Sequence, residues 1–160
     1  MPWHRQATVA VFPAYKFTRF DNNIKLLMGH KGAVTDIGFS PFNKQLLCTT
    51  SEDGTAKLWL IPEDGVTEDI KEADADLLGH TKKVMACQWH RTAENVLATH
   101  SADGCVRIWD VAQQASTLVF PEMGNIGTGM KWSPAGDRLA VVTKMKDLFV
   151  FDPRKPEAAI

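Results

Sequence analysis

Short apolar runs, each closed by a turn signal, recur from residue 7 to residue 152 of this 160-residue sequence. In Ala7 to Pro13, ATVAVFP, small and apolar residues alternate with the period of a strand. Ile24 to Met28, IKLLM, is a second run after a polar connection, Lys16 to Asn23. Ala33 to Ser40 places Val34, Ile37 and Phe39 at strand positions, and Gln45 to Ser51 and Thr55 to Ile61 follow. Pro41 to Lys44 is a turn, because proline presets its own backbone angle and asparagine tolerates tight geometry. Asp53-Gly54 between two β-rich runs is a hairpin signal. The succession then repeats: Val84 to His90, Asn95 to Ser101, Cys105 to Val111 and Ala115 to Phe120, with turns at Arg91 to Glu94 and Asp103-Gly104. A last set comprises Ile126 to Ser133, Arg138 to Thr143 and Leu148 to Asp152, with a turn over Pro134 to Asp137. The pattern predicts an all-β chain.

Pro62 to Asp76 interrupts the pattern. It holds Glu63, Asp64, Glu68, Asp69, Glu72, Asp74 and Asp76 against Lys71 alone, and reads as a solvated surface insertion. Leu77-Leu78 then closes an outer strand.

The runs form a repeat. Gly29-His30 and Gly79-His80 lie fifty residues apart, as do Ser51 and Ser101, Asp53 and Asp103, and Trp59 and Trp109. Two copies with matching internal spacing mark a repeat architecture. The Gly-His … Trp-Asp signature, complete in residues 79–110, resembles WD40 blades, each a four-stranded sheet of a β-propeller. That resemblance implies a partial propeller of about three to four of the expected seven blades. Residues 7–28 are the end of one blade, 29–78 and 79–120 are whole repeats, and 121–160 is a degenerate repeat. In the last, Phe151-Asp152 stands for Trp-Asp and Met123 for the repeat histidine. It is expected to be held by apolar packing alone, and unclosed blades are expected to allow self-association.

His30, Ser51, Asp53 and Trp59, and again His80, Ser101, Asp103 and Trp109, are expected to form a structural network in each blade. A buried aspartate needs donors, and imidazole, hydroxyl and indole N–H groups supply them. Ser, His and Asp together also suggest catalysis. The duplication at repeat spacing and the lack of an oxyanion-hole motif argue against it, and no enzyme activity is expected. His80, Cys87, His90 and His100 share a repeat but match no zinc spacing, and no phosphate loop is present, so neither metal nor cofactor is expected.

Lys and Arg number 18 against 19 Asp and Glu, which argues against a nucleic-acid binder. No apolar run reaches the roughly 20 residues of a membrane span, and MPWHRQATVAVF does not read as a signal peptide. Cys48, Cys87 and Cys105 fall in strands and read as reduced, buried thiols of a cytosolic protein.

The residues between the repeat marks narrow the family. Gly79 to Val111, GHTKKVMACQWHRTAENVLATHSADGCVRIWDV, resembles a blade of coronins, as do WLIPEDG at Trp59 to Gly65, FDPRK at Phe151 to Lys155 and HKGAVTDIGFSPF at His30 to Phe42. The likeness runs from about residue 7 to 155 and includes the tandem-propeller long members. Coronins are seven-bladed proteins that bind actin filaments and regulate their turnover. The resemblance implies an actin-associated scaffold acting through other proteins in the cytoplasm and cytoskeleton. A generic WD40 adaptor in trafficking or ubiquitin-ligase assembly is the alternative. The basic opening segment and the C-terminal coiled coil of coronins have no counterpart in these residues. Candidate partner-binding residues are Lys82, Lys83 and Arg91 near one blade, and Lys144, Lys146, Arg154 and Lys155 near the next, since actin filaments are acidic.

Overall fold

The structure is a computed structural model that describes residues 7–12, 24–120 and 123–155. All regular elements among them are strands, and no helix long and apolar enough to cross a membrane occurs. The described residues form four antiparallel sheets of consecutive strands. The first pairs β1 (Ala7–Ala10) with β2 (Leu26–His30). The second contains β3 (Val34–Phe39), β4 (Leu46–Ser51), β5 (Ala56–Leu60) and β6 (Ala75–Leu77). The third repeats it with β7 (Val84–Trp89), β8 (Val96–Ser101), β9 (Val106–Asp110) and β10 (Ala115–Phe120). The fourth has β11 (Gly127–Trp132), β12 (Leu139–Thr143) and β13 (Leu148–Phe151). The polar connection Lys16 to Asn23 lies outside the described residues.

Each leading strand carries the same irregularity. The register slips between Val34 and Asp36, between Val84 and Ala86, and between Gly127 and Gly129. An extra residue at this point increases local twist, and its recurrence aligns the three sheets as units of one repeat. The leading strands lie side by side across the sheets. Trp89 Nε1 donates to Gly38 O at 2.9 Å, and Trp132 Nε1 donates to Gln88 O at 3.3 Å. Cys87 N donates to Asp36 Oδ2 at 3.0 Å.

Apolar cores fill the junctions between sheets. Leu47 and Trp59 of the second sheet meet Leu27 of the first. Cys48, Leu58 and Leu77 meet Trp89, Leu97 and Trp109 at the next junction. Ile108 and Phe120 meet Met130, Trp132, Leu139 and Phe151 at the last. Leu47, Leu97, Leu139 and Phe120 have no exposure, and each buried side chain of this size contributes about 1.5–3 kcal/mol. Alternation in β8 sends Leu97 and Thr99 toward the second sheet and Ala98 and His100 toward the fourth.

The junctions differ in detail. Thr35 Oγ1 donates to Val84 O at 2.6 Å and lies 2.9 Å from Thr50 Oγ1, a hydroxyl bridge from the second sheet to the third. At the following junction the register equivalent of Thr50 is His100 and that of Val84 is Gly127. The imidazole fits because Gly127 has no side chain: a Cβ there would lie 3.0 Å from His100 Nδ1.

Three expectations are corrected. The acidic stretch from Pro62 to Asp76 is not simply solvated. Ile70 forms a parallel bridge with Leu27, with Met28 N donating to Ile70 O at 2.7 Å and Ile70 N to Leu26 O at 2.9 Å. Val66, Ile70 and Ala73 pack against the core at Leu27 and Trp59, and Ala75–Leu77 is itself strand β6. Several of the acids serve as acceptors: Asp69 Oδ1 for Leu26 N at 3.0 Å, Asp74 Oδ2 for Leu60 N at 2.7 Å and Asp76 for Lys57 Nζ at 2.6 Å. The segment is a strap across the edge of β2, held by three apolar residues that the surrounding charge conceals. Second, the fourth sheet is not held by apolar packing alone. Buried Asp152 accepts from Arg138 Nη1 at 2.8 Å and from Arg154 Nε and Nη2, each at 2.9 Å. Third, Cys105 is half-buried and precedes β9, whereas Cys48 and Cys87 are buried in strands.

Candidate functional site

In each whole sheet the repeat residues converge, and they do so around a threonine. Trp59 Nε1 donates to Thr49 Oγ1 at 2.9 Å, and His30 Nε2 lies 2.7 Å from the same hydroxyl. His30 Nδ1 is 3.0 Å from Asp53 Oδ2. In the third sheet Trp109 Nε1 donates to Thr99 Oγ1 at 2.8 Å, His80 Nε2 lies 2.9 Å from it, and His80 Nδ1 is 2.9 Å from Asp103 Oδ2. Thr49 and Thr99 were not singled out from the sequence. Their signal was present, since they too lie fifty residues apart, ten before each tryptophan. Threonine is so ordinary in strands that it does not announce itself.

The bonds fix where the protons sit. Each threonine oxygen accepts from the indole, so its own hydrogen is free to go to histidine Nε2. Nδ1–H then donates to the aspartate. Burial lowers both histidines below their ordinary value and outweighs the opposing pull of Asp53 and Asp103. Burial alone would raise Asp53, but bonds from the Thr55 hydroxyl, the Lys31 amide and His30 outweigh it and bring the carboxyl down to about 2. Asp103 is lowered in the same way by Cys105 N, His80 and Thr81 N.

The serines take a different part. Ser51 Oγ donates to Gly32 O at 3.0 Å and accepts from Asp53 N at 3.1 Å. Ser101 Oγ bonds Lys82 O and Lys83 O, at 3.0 and 2.9 Å, and accepts from Asp103 N. They tie the Asp-Gly turn to the loop that carries the histidine, so the serine hydroxyl is directed to backbone and not to the imidazole.

The four residues weighed as metal ligands are dispersed. His80 belongs to the network, Cys87 to the junction core and His90 to a bond with Gly136 O at 2.8 Å. Neither nitrogen of His100 has a partner among the described residues. No three His, Cys, Asp or Glu side chains converge there.

The basic residues divide otherwise than their order suggests. Val84 pairs with Ser101 and Trp89 with Leu97, so residues 80–84 and 101–105 share one end of the sheet, and Arg91 stands at the other. In the fourth sheet Gly127 pairs with Thr143 and Trp132 with Leu139, so Lys144 and Lys146 lie at the Asp-Gly end, while Arg154 and Lys155 lie opposite. One rim thus carries Lys82, Lys83, Lys144 and Lys146, and the other carries Arg91, Arg154 and Lys155, all exposed. The reason is antiparallel reversal: a strand of six residues carries the chain from one end to the other. Lys83 pairs with Glu52 at 3.5 Å, an exposed contact of small energetic weight.

The model of the WD domain, G-beta repeat, matches residues 21–59 and 73–110. The WD40 domain of Toxoplasma gondii coronin superposes with a TM-score of 0.80 at 32% identity, over 86% of this chain and 36% of that one. The chain carries WD40 repeats. The C-terminal WD40 domain of Sif2 shares the fold, with a TM-score of 0.69 at 24% identity, over 84% of this chain and 36% of that one. In sequence these WD40 blades are similar to Coronin-7 of Bos taurus, 36% identical over 91% of the chain and 16% of the relative. Coronin-like protein crn1 of Schizosaccharomyces pombe is 33% identical over 91% of the chain and 25% of the relative. Coronin-2A of Homo sapiens is 31% identical over 90% and 28%. The WD40 chain therefore spans between about a sixth and little more than a quarter of these relatives.

Proposed function

We propose that this chain is part of a coronin-like scaffold that associates with actin filaments in the cytoskeleton, through protein–protein contact and without a reaction of its own. The observation that carries the reading is the likeness to coronins over 91% of the chain. Support comes from the rim of Lys82, Lys83, Lys144 and Lys146, four exposed cations at one end of adjacent sheets. Such a cluster steers association with an acidic filament. The polar networks hold the loops of that rim in place: Ser101 fixes the backbone of both Lys82 and Lys83. Co-sedimentation with filamentous actin tests it. The chain pellets with filaments at low salt, and reversing all four lysines to glutamate weakens pelleting and flattens its salt dependence. A chain that stays in the supernatant at low salt, or a fourfold variant that pellets like the parent, counts against the reading.

A further inference from the structure

At the end opposite those lysines, a groove of about 320 Å³ opens between the third and fourth sheets. Its walls are apolar: Ala93, Val96 and Ile108 on one side, Trp132 and Pro153 on the other. The preceding junction closes the equivalent position. There Val111, which follows Asp110 as Pro153 follows Asp152, is buried with Leu46, Leu58 and Trp89. Two substitutions account for the difference. Val96 is shorter than its counterpart Leu46, and Pro153 sits in a turn pulled toward Asp152 by Arg154, which bonds it through its amide, Nε and Nη2. The floor is fixed as well. His90 Nε2 donates to Gly136 O at 2.8 Å, while Nδ1 accepts from Thr92 N and Ala93 N at 3.2 and 2.8 Å.

The mouth is charged. Of the charged side chains, Arg154 and Asp137 line it, and Arg91, Lys155 and Glu94 are exposed at the same end of the sheets. Asp137 is engaged by the Ser133 hydroxyl at 2.8 Å, and Arg138 is committed to buried Asp152 at 2.8 Å. Arg154 spends Nε and Nη2 on Asp152 while its side chain remains 69% exposed, leaving N–H groups directed outward. A preformed apolar pocket with a few convergent polar groups is how binding sites are built, and the free N–H groups of Arg154, donors only, call for an acceptor such as a carboxylate.

We infer that this groove is a docking site for an acidic peptide segment that inserts one or two apolar side chains between the sheets and sets a carboxylate against Arg154. The site goes beyond the actin reading and stands at the other end of the sheets.

A fluorescein-labelled peptide of sequence EDLFED is the probe, titrated against the full chain and followed by anisotropy. Saturable binding is expected. Replacing the central Leu-Phe of the peptide by two serines, or filling the groove with Ala93→Leu, weakens it roughly tenfold or more, the worth of one buried apolar side chain. Arg154→Gln weakens it severalfold, and a peptide with lysine at each acidic position does not bind. Lys82→Glu with Lys83→Glu leaves the affinity unchanged, which separates this site from the actin rim. The inference is overturned by absence of saturable binding, by equal binding of the serine peptide, or by loss of binding in the double lysine variant. The serine peptide leaves the protein untouched, so the inference can be judged even if Ala93→Leu does not fold.

Discussion

Thr99→Val is the sharpest probe of the blade network. The substitution keeps the size and branching of the side chain and removes only the hydroxyl. Thr99 is wholly buried, and its oxygen sits 2.8 Å from Trp109 Nε1 and 2.9 Å from His80 Nε2. Valine strands an indole donor and an imidazole acceptor where water does not reach. Each unmet group costs about 1–3 kcal/mol, and partial relaxation brings the pair to about 3 kcal/mol. Thr99→Ser keeps the hydroxyl and loses a methyl, about 1 kcal/mol. With a urea m-value of about 2 kcal/mol per molar, the valine variant unfolds roughly 1.5 M earlier than the parent and the serine variant about 0.5 M earlier. Tryptophan fluorescence reads both transitions. If valine proves as stable as serine, the hydroxyl is not the hub and the proton placement is wrong.

Acid should loosen the fold in two stages. Burial holds His100 down to about 4 from an ordinary 6.5, so the unfolded chain takes up the proton first and stability falls as pH drops from 6.5 toward 4, by roughly 3 kcal/mol for this group. Asp53 adds a further loss as pH falls from 3.8 toward 2; His100→Leu should shrink the first stage of urea midpoints against pH, leaving the part due to His30 and His80, and leave the second. Gly136→Ala should cost about 2–4 kcal/mol in a thermal or urea melt, because φ is +78° and the new methyl meets His90 Cε1. Ile70→Pro removes the donor to Leu26 O, and hydrogen exchange at the Met28 amide should quicken roughly tenfold while Val84–Trp89 is unaffected.

The sequence displayed most of the strands because each is a short apolar run bounded by turn signals, whether it alternates like β10 or is almost wholly buried like β4 and β8. The pair Val84 to His90 and Asn95 to Ser101, for example, differs from β7 and β8 by a residue at an end. The sheet grouping was legible from the fifty-residue repeat. What the pattern hid was anything carried by common residues or by distance. Val66, Ile70 and Ala73 are too few among acids to register as a strand, yet a single parallel bridge suffices to seat them. Lys82, Lys83 and Arg91 look like one cluster when read along the chain, and one strand of β-structure separates them. Asp152 looked like the remnant of a Trp-Asp pair, whereas two arginines draw it into an ionic knot that no repeat mark foretells.

The exchange of Val84 and Thr50 for Gly127 and His100 has a consequence for assembly. Sheets made from one repeated pattern could in principle stack in any order, or on copies of themselves in other molecules. Were the third sheet to stack on another copy of itself, the Val84 side chain would be driven against the imidazole of His100, which a single methyl at Gly127 would already approach to 3.0 Å. Were the fourth sheet to stack on the second, Gly127 would face Thr50 and leave a void the size of the missing ring. Either misplacement costs packing that the native order retains. The last junction thus acts as a keyed coupling: His100 of the third sheet accepts the fourth sheet with its Gly127 and disfavours a second copy of the third, so the end of the series is marked in its packing.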